Sequence, residues 1–190
     1  MTYERAIITA PEPVRLTVRE FLLLADSGAL DRYSKTELIH GEVVGVNAQF
    51  TRHMKAKNRL YRRLADACDR LGNGLEAWSE GTIDMSPDDA PEPDLFVTRD
   101  LPDSRVVPLS ALVLVGEVAD ASIRFDMNVK APVYASKGVA EYWVIDVDGR
   151  VIHQFWHPGA DGFEQSRQIA FGERLASATI DGLAVDTDGL

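Results

Sequence analysis

Two acidic residues, Asp94 and Glu117, occupy positions from which metal-assisted hydrolysis could be carried out. Asp94 follows Pro93 at the start of a strand-like segment, and Glu117 lies near the end of the apolar run 112–118. A carboxylate at the end of a buried strand is costly unless it is paired or bound to a cation, and two on neighbouring strands repel each other. A hard divalent ion with oxygen ligands, Mg²⁺ foremost and Mn²⁺ as an alternative, meets this need. Either acid alone could instead cap a helix or pair with an arginine.

Two further residues complete a predicted catalytic set of Glu42, Asp94, Glu117 and Lys130. Lys130 follows Glu117 by 13 residues, and its amine could orient an attacking water and stabilise charge that develops on a phosphate. Glu42 comes directly after Gly41 in a predicted hairpin and could turn toward the same cluster. The alternatives are an exposed helical lysine and an exposed strand glutamate.

A basic strip runs from Thr51 to Arg63, where six of the 20 lysines and arginines lie without an acid among them. The whole chain has a net charge of −10, which argues against tight DNA binding because phosphate neutralisation needs cationic side chains. The strip is either a solvated helix face or a local surface for phosphates. The residues predicted to contact nucleic acid are Arg52, His53, Lys55, Lys57 and Arg59.

The composition is that of an ordinary globular protein, with 45% hydrophobic and 26% charged residues in 190. This length predicts one domain, residues 15–190, after a flexible N-terminal arm of residues 1–14. Cys68 is the single cysteine, so no intrachain disulfide can form and a reducing cytoplasm is expected. No apolar run approaches the roughly 20 residues that cross a bilayer, so no membrane partner is expected.

The elements that must position these acids follow from periodicity and turn residues. A first helix is predicted from the capping box of Thr17 and Glu20 to Gly28. A second is predicted over Arg52–Leu71, before the glycines at 72 and 74. The predicted strands are two short ones within Glu37–Val46, then Leu75–Met85, Asp94–Thr98, Ala111–Val118, Glu141–Val147 and Arg150–Trp156, with one or two edge strands after them.

A third helix is predicted over Asp126–Lys137, although Pro132 removes a backbone donor there and should bend it. The last two of the predicted strands form a hairpin across Asp148-Gly149. The order of elements predicts an α/β (α+β mixed) fold with a central mixed sheet flanked by helices.

In this order the residues resemble the Uma-type group of putative restriction endonucleases, a domain of unknown function in the PD-(D/E)XK nuclease superfamily. The similarity runs from about Leu16 to Val151. It is carried by residues 16–21, by Glu37-Leu38-Ile39-His40-Gly41-Glu42-Val43, by 52–53 and 58–60, by Glu92-Pro93-Asp94-Leu95, by 117–122 with Asp126, Lys130, Pro132 and Tyr134, and by 138–146. Each motif alone is unspecific, whereas the ordered set over more than 100 residues is specific.

The resemblance implies a restriction-endonuclease-like core in which Asp94 and Glu117 hold the metal and Glu42 completes the acidic cluster. The superfamily usually places its lysine two residues after the second acid. Ala119 occupies that position here, so Lys130 would replace it from the helix. A homodimer is expected, because two-fold dimers are common among nucleases that cut both strands.

Three functions remain open at this point. The first is an endonuclease that hydrolyses DNA phosphodiesters with a water activated by Mg²⁺. The second is a non-catalytic, probably dimeric module of the same fold that binds or regulates. The third is a glycosidase or esterase built on two carboxylates, which would have no need of a partnering lysine.

Overall fold

The structure is a computed structural model that describes residues 13–45 and 50–190. The helices are α1 (Val18–Asp26), α2 (Thr51–Leu71), the short α3 (Ile123–Phe125) and α4 (Ala131–Ser136). The strands are β1 (Thr36–Ile39), β2 (Glu42–Gly45), β3 (Leu75–Trp78), β4 (Ile83–Asp84), β5 (Leu95–Arg99), β6 (Val107–Pro108), β7 (Leu112–Ala119), β8 (Glu141–Asp146), β9 (Val151–Gly159), β10 (Gly162–Ala170), β11 (Arg174–Ala176) and β12 (Ala184–Asp186). Residues 1–12 of the predicted arm and Val46 of the predicted strand pair lie outside the described residues.

A mixed sheet in the order β10-β9-β8-β7-β5-β3 forms the centre of the fold. β7 and β8 run parallel, and the chain crosses between them through α3 and α4. The other neighbouring strands are antiparallel. The apolar run 112–118 therefore forms a central strand, as predicted, and the expected mixed sheet flanked by helices is confirmed.

Helices cover both faces of this sheet, because its strands carry apolar side chains in both directions. On one face α2 packs Leu60 and Leu64 against the sheet, and on the other α4 packs Val133 and Tyr134. Each fully buried leucine of this kind contributes roughly 1.5–3 kcal/mol of transfer free energy. The sheet residues that meet α2 include Leu95, Val97 and Trp143, and those that meet α4 include Phe96, Val115 and Tyr142.

The first two helices begin and end close to where their sequences predict. The Thr17 hydroxyl accepts from the Glu20 amide at 3.3 Å, and the Glu20 carboxylate accepts from the Thr17 amide at 2.8 Å. α2 ends at Gly72, whose φ of 59° is the left-handed conformation that glycine adopts without strain. Among the described residues, no helix is both long and apolar enough to span a membrane.

The segment predicted as one strand, Leu75–Met85, is divided in two. β3 pairs with β5 at the edge of the main sheet, whereas β4 pairs in parallel with β6 in a separate two-stranded sheet. Between them Glu80 has a φ of 56°, which breaks the extended conformation and turns the chain. This turn carries the Glu80 side chain toward α2, where it meets Lys57.

The predicted third helix contains Pro132, and the structure shows how the chain tolerates it. A π-helical segment, Asp126–Lys130, separates α3 from α4. The Ala131 amide donates to the Asp126 carbonyl, five residues earlier, so the hydrogen-bond register shifts just before the proline. Pro132 then lies in the first turn of α4, where a missing N–H costs little.

Hydrogen bonds to the fully buried Glu141 hold residues 177–179 of the C-terminal segment against the sheet. Its Oε1 accepts from the Trp143 indole and the Gln154 amide, each at 2.6 Å. Its Oε2 accepts from both hydroxyls and two backbone amides of residues 177–179, at 2.6–3.0 Å. Every lone-pair direction of this carboxylate thus faces a donor, and the charge needs no cation.

Candidate metal and nucleic-acid site

Asp94 and Glu117 converge because β5 and β7 are antiparallel neighbours. Leu95 pairs with Gly116, so Asp94, one residue before β5, lies beside Glu117 near the end of β7. The Asp94 amide donates to Glu117 Oε2 at 3.4 Å, and the Val118 amide donates to Asp94 Oδ2 at 2.9 Å. Both side chains are about 95% buried, with 5% and 4% exposure. Two acids separated by 23 residues therefore share one end of the sheet.

Lys130 reaches this pair from the π-helical segment. Its Nζ donates to Glu117 Oε1 at 2.9 Å and to Glu37 Oε1 at 3.0 Å. Burial alone would lower the pKa of Lys130, but Glu117, Glu37 and Asp126 raise it above its ordinary range. The ammonium therefore stays charged and links the two glutamates.

Glu37 is an acid of the cluster that was not predicted from the sequence, and it lies where Glu42 was expected. Glu37 is 1% exposed, whereas the Glu42 side chain is 59% exposed and pairs with Arg15 at 2.8 Å. In the β1–β2 hairpin Glu37 lies opposite Val44, while Glu42 lies opposite Ile39, two residues nearer the turn. At about 3.3 Å per residue this places Glu42 roughly 7 Å farther along the ladder. The structure therefore does not bring Glu42 into the cluster.

Asp94 is held from the other side by two side chains of α2. His53 Nε2 donates to Asp94 Oδ2 at 3.1 Å, and Lys57 Nζ lies 3.7 Å from Asp94 Oδ1. Burial favours a raised pKa for Asp94, but the hydrogen bond and charge of His53, with the Val118 amide, bring it below its ordinary value. Asp94 is accordingly the ionised acid of the pair.

Glu117 behaves in the opposite way. Burial raises its pKa to about 8, and Asp126, Glu37 and Asp94 act in the same direction, while Lys130 opposes them. Several carboxylates share the one ammonium of Lys130, so Glu117 retains a proton even though Lys130 is charged. The Tyr134 hydroxyl also donates to Glu117 Oε1, at 2.9 Å. The cluster thus gathers the carboxyl groups of Glu37, Glu117 and Asp126 around one ammonium and is rich in oxygen ligands.

This concentration of carboxyl oxygens fits a hard divalent cation, whose binding would displace the proton of Glu117. Glu37 Oε2 is buried and makes no hydrogen bond within the described chain, although Lys130 Nζ is 2.8 Å away. Within residues 13–45 and 50–190, no three acidic, histidine or cysteine side chains are already arranged around one ion. The cluster is therefore a set of suitable donors, and not a preformed cage.

The carboxylates line a cavity of about 660 Å³. Its floor carries Glu37, Asp94 and Glu117, and aromatic side chains come from the start of α2 and from α3. The lining residues are Lys35, Glu37, Val44, Gly45, Phe50, His53, Asp94, Glu117, Val118, Asp120, Ala121, Ser122, Phe125, Asp126 and Lys130. A pocket of this size that joins apolar walls to a few converging polar groups is typical of a ligand site.

The five residues predicted to contact nucleic acid fall into two groups. His53 and Lys57 are buried and face Asp94, so they belong to the acidic cluster. Arg52, Lys55 and Arg59 are exposed on α2 at a spacing of three and four residues, which places them along one face. Arg52 pairs with Asp148 at 2.8 Å and with Asp120 at 3.7 Å. Arg59 donates to the Gly189 carbonyl.

Two further residues of the site, Asp126 and Tyr134, were not assigned a role from the sequence. Asp126 is 3% exposed, accepts from the Ser122 hydroxyl at 2.6 Å and has a pKa raised by burial. Two sequence signals could have placed it beside the cluster: its spacing of four from Lys130, and its place with Lys130 in the motif that resembles the family. Tyr134 follows Lys130 by the same interval.

Comparison with known proteins identifies the family. A solved structure described as a putative nuclease belonging to DUF820 from Anabaena variabilis ATCC 29413 superposes with a TM-score of 0.64. It is 14% identical, and the match covers 88% of this chain and 90% of that one, which shows a common fold. Among curated proteins, none matches the sequence. Residues 18–188 match the model of the Uma2 family, described as putative restriction endonuclease, so the chain belongs to that nuclease family, as its motifs predicted.

Proposed function

We propose that this protein is an Mg²⁺-dependent endonuclease that hydrolyses phosphodiester bonds of DNA. The observation that carries the proposal is the convergence of Asp94 and Glu117 with the ammonium of Lys130 at the floor of one cavity. Membership of a family described as putative restriction endonucleases supports the same reaction class.

Asp94 and Glu117 would hold the cation, and the buried carboxylate of Glu37, which contacts Lys130 through both oxygens, lines the same cavity as a third candidate ligand. When bound, Mg²⁺ supplies Lewis-acid activation of water and neutralisation of charge on the phosphate. Mn²⁺ takes similar oxygen ligands and is expected to substitute for it.

Lys130 contributes a fixed positive charge. Its ammonium is held by Glu117 and Glu37 and has a raised pKa, so it remains protonated throughout the physiological range. A charged donor that is already positioned in a water-poor site stabilises negative charge at little reorganisation cost. His53 orients the Asp94 carboxylate through its hydrogen bond.

The exposed basic face of α2 is proposed to guide the substrate. Arg52, Lys55 and Arg59 would contact phosphates, and Arg52 lies near the cavity because it pairs with Asp120 in its wall. A homodimer would bring a second such site to the opposite DNA strand. Light scattering after size exclusion would measure the oligomeric state. Localisation in a reducing cytoplasm is proposed from the single cysteine, Cys68, which leaves no intrachain disulfide to form.

Plasmid cleavage beside direct metal binding tests the proposal. Asp94→Asn removes the ionised carboxylate of the cluster and keeps its shape. We expect Mg²⁺- or Mn²⁺-dependent cleavage to fall at least about 100-fold, as removing groups around a metal usually does. Calorimetric Mg²⁺ binding should weaken in parallel, while the unfolding transition remains cooperative.

Asp66→Asn is the matched control, because Asp66 is an exposed aspartate on α2 away from the cavity. It should leave cleavage and metal binding unchanged. If the wild-type protein cleaves neither plasmid nor single-stranded DNA with any divalent metal, the nuclease proposal is wrong and the fold serves as a binding or regulatory module.

A further inference from the structure

We propose that the cavity accepts an unpaired DNA nucleotide, so that the substrate is a single-stranded or locally unpaired segment and not a continuous duplex. This inference rests on the proposed nuclease function and specifies its substrate class. It is argued from two aromatic residues, Phe50 and Phe125, that line the cavity, and from the deep burial of Asp94 and Glu117 in the same cavity.

Phe50 is an aromatic residue in an unusual position. It is the N-cap of α2, where residues with a side-chain oxygen are favoured because they accept from the free amides of the first turn. Phenylalanine offers no such acceptor, and its side chain is 68% exposed. The Phe50 carbonyl accepts from the Met54 amide, but its side chain neither caps the helix nor joins the core. Phe50 lines the mouth of the acidic cavity, where an exposed ring can contact a ligand.

A second ring borders the same cavity from another element. Phe125, at the end of α3, is partly buried, and Lys130 Nζ lies 6.0 Å from its ring centroid. The remaining apolar wall includes Val44, Val118 and Ala121. Carboxylates and a lysine suffice for a phosphate, so rings beside them indicate a ligand that also has a flat apolar face. A nucleobase attached to the phosphate is such a ligand.

The depth of the acids restricts how a phosphodiester can reach them. Asp94 and Glu117 are 5% and 4% exposed, so the scissile bond must enter the cavity. In a duplex each phosphate is flanked by stacked base pairs, and a base can enter a protein pocket only after it has been unstacked. An unpaired strand bends freely and can place a phosphate on the floor with its base against a ring. The cavity volume of about 660 Å³ suits one such group.

The charge of the protein favours the same substrate. Duplex binding depends on many phosphate contacts, and a net charge of −10 opposes them. Near the cavity, Arg52 would have to leave Asp120 and Asp148 to contact a phosphate, and Lys57 is paired with Glu80, so few cationic contacts are available. An unpaired segment needs few phosphate contacts, because stacking on aromatic rings supplies part of its affinity.

Fluorescence anisotropy with labelled oligonucleotides tests this inference without relying on cleavage. The probes are a 12-nucleotide single strand and the duplex of the same sequence, measured with Ca²⁺ and without metal. The wild-type protein should bind the single strand about tenfold more tightly than the duplex. Phe50→Leu should weaken single-strand binding about tenfold and leave duplex binding nearly unchanged.

Phe50→Tyr keeps the ring and should retain wild-type affinity for the single strand. Leu23→Ala, at an exposed apolar residue of α1, is the remote control and should change nothing. A single strand containing 2-aminopurine gives a second readout, since its fluorescence changes when it leaves the neighbouring bases for the cavity. The change should occur with the wild type and Phe50→Tyr and be lost with Phe50→Leu.

Equal or tighter binding of the duplex by the wild type would overturn the inference. Equal weakening of both probes by Phe50→Leu would overturn it as well. If Mg²⁺ binding and cleavage are present but the single-strand preference is absent, only this inference fails. If the preference is present but Mg²⁺ does not bind, the nuclease proposal fails and the stacking surface remains.

Discussion

Glu141 and Glu117 are both buried glutamates on the parallel strand pair of the sheet, yet their surroundings differ in one decisive respect. Glu141 accepts six hydrogen bonds from side chains and amides around it. Glu117 Oε2 receives a single long contact of 3.4 Å from the Asp94 amide, and its neighbours Glu37, Asp94 and Asp126 are also acids. Glu117 Oε1 also accepts from Lys130 and Tyr134, so Glu141 is saturated with donors, whereas Glu117 has fewer donors and several acidic neighbours.

This difference shows how a structural acid can be told from a functional one when both are buried. Burial alone does not separate them, because Glu141 and Glu117 are 0% and 4% exposed. The supply of donors does, since a fully hydrogen-bonded carboxylate has no need of a cation, whereas an under-supplied acidic cluster is stabilised by one. The three predictions below test this distinction, from the largest expected effect to the smallest.

The largest loss of stability is expected at the saturated site. Glu141→Gln places an amide NH₂ among groups that are themselves donors, including the amides of Ala178 and Thr179. We expect the free energy of unfolding to fall by about 3–5 kcal/mol in urea titrations. Glu37→Gln is the matched variant and should cost less, because Lys130 keeps Glu117 as a partner. Equal losses at the two positions would remove the distinction.

An intermediate effect is expected in the pH dependence of stability. Burial raises the pKa of Glu117 from an ordinary value of 4.5 to about 8, so the folded protein binds this proton more tightly than the unfolded chain does. The resulting stabilisation is complete below pH 4.5 and is lost as the pH rises through about 8. The free energy of unfolding of the metal-free protein should therefore decline between these values.

Glu117→Gln should reduce that decline, because glutamine has no proton to lose, and leave the part due to Asp126, whose pKa burial also raises. Denaturation in EDTA at pH 6 and pH 9 would measure it, with the wild type losing stability relative to the variant at the higher pH. Asp66→Asn controls for a general change in charge. Parallel pH profiles for the wild type and Glu117→Gln would show that Glu117 is not the titrating group.

The smallest effect is expected from a single hydroxyl. Tyr134→Phe removes the hydrogen bond to Glu117 Oε1 and should lower the free energy of unfolding by about 1 kcal/mol. It should also change Mg²⁺ affinity, because it alters the surroundings of a proposed ligand. Tyr142→Phe is an equally buried control whose hydroxyl donates to the Asp126 carbonyl at 3.2 Å. A similar change of Mg²⁺ affinity in both variants would mean that the site responds to general loosening of the core.

Much of the fold follows from local signals in the sequence. Three elements are specified by interactions between residues close in sequence. They are marked by the capping box of Thr17 and Glu20, the apolar face of α2 and the apolar run 112–118. The division of Leu75–Met85 was missed because it depends on one left-handed residue, Glu80, whose type does not require that conformation. The π-helical segment was missed as well, since Pro132 predicts only an irregularity and not its form.

The positions of the site residues could be predicted only where the pairing of strands fixes them. Asp94 and Glu117 stand next to strands whose antiparallel pairing brings them together, so their convergence follows from the topology. The choice between Glu37 and Glu42 does not, because both belong to one hairpin and only its docking decides which reaches the cavity. Likewise, Lys57 was predicted to contact phosphate because it is a lysine in a basic segment. Its position on the helix instead directs the side chain toward Asp94 and Glu80.

The π-helical segment makes the length of the crossover as important as its composition. The extra residue between α3 and α4 sets the rotation of α4 about its own axis. Each residue of an α-helix corresponds to about 100° of this rotation. Deleting one residue there would restore a regular helix but swing the Tyr134 hydroxyl away from Glu117. Homologous chains that retain this site should therefore vary in sequence between β7 and β8 far more readily than they vary in residue number.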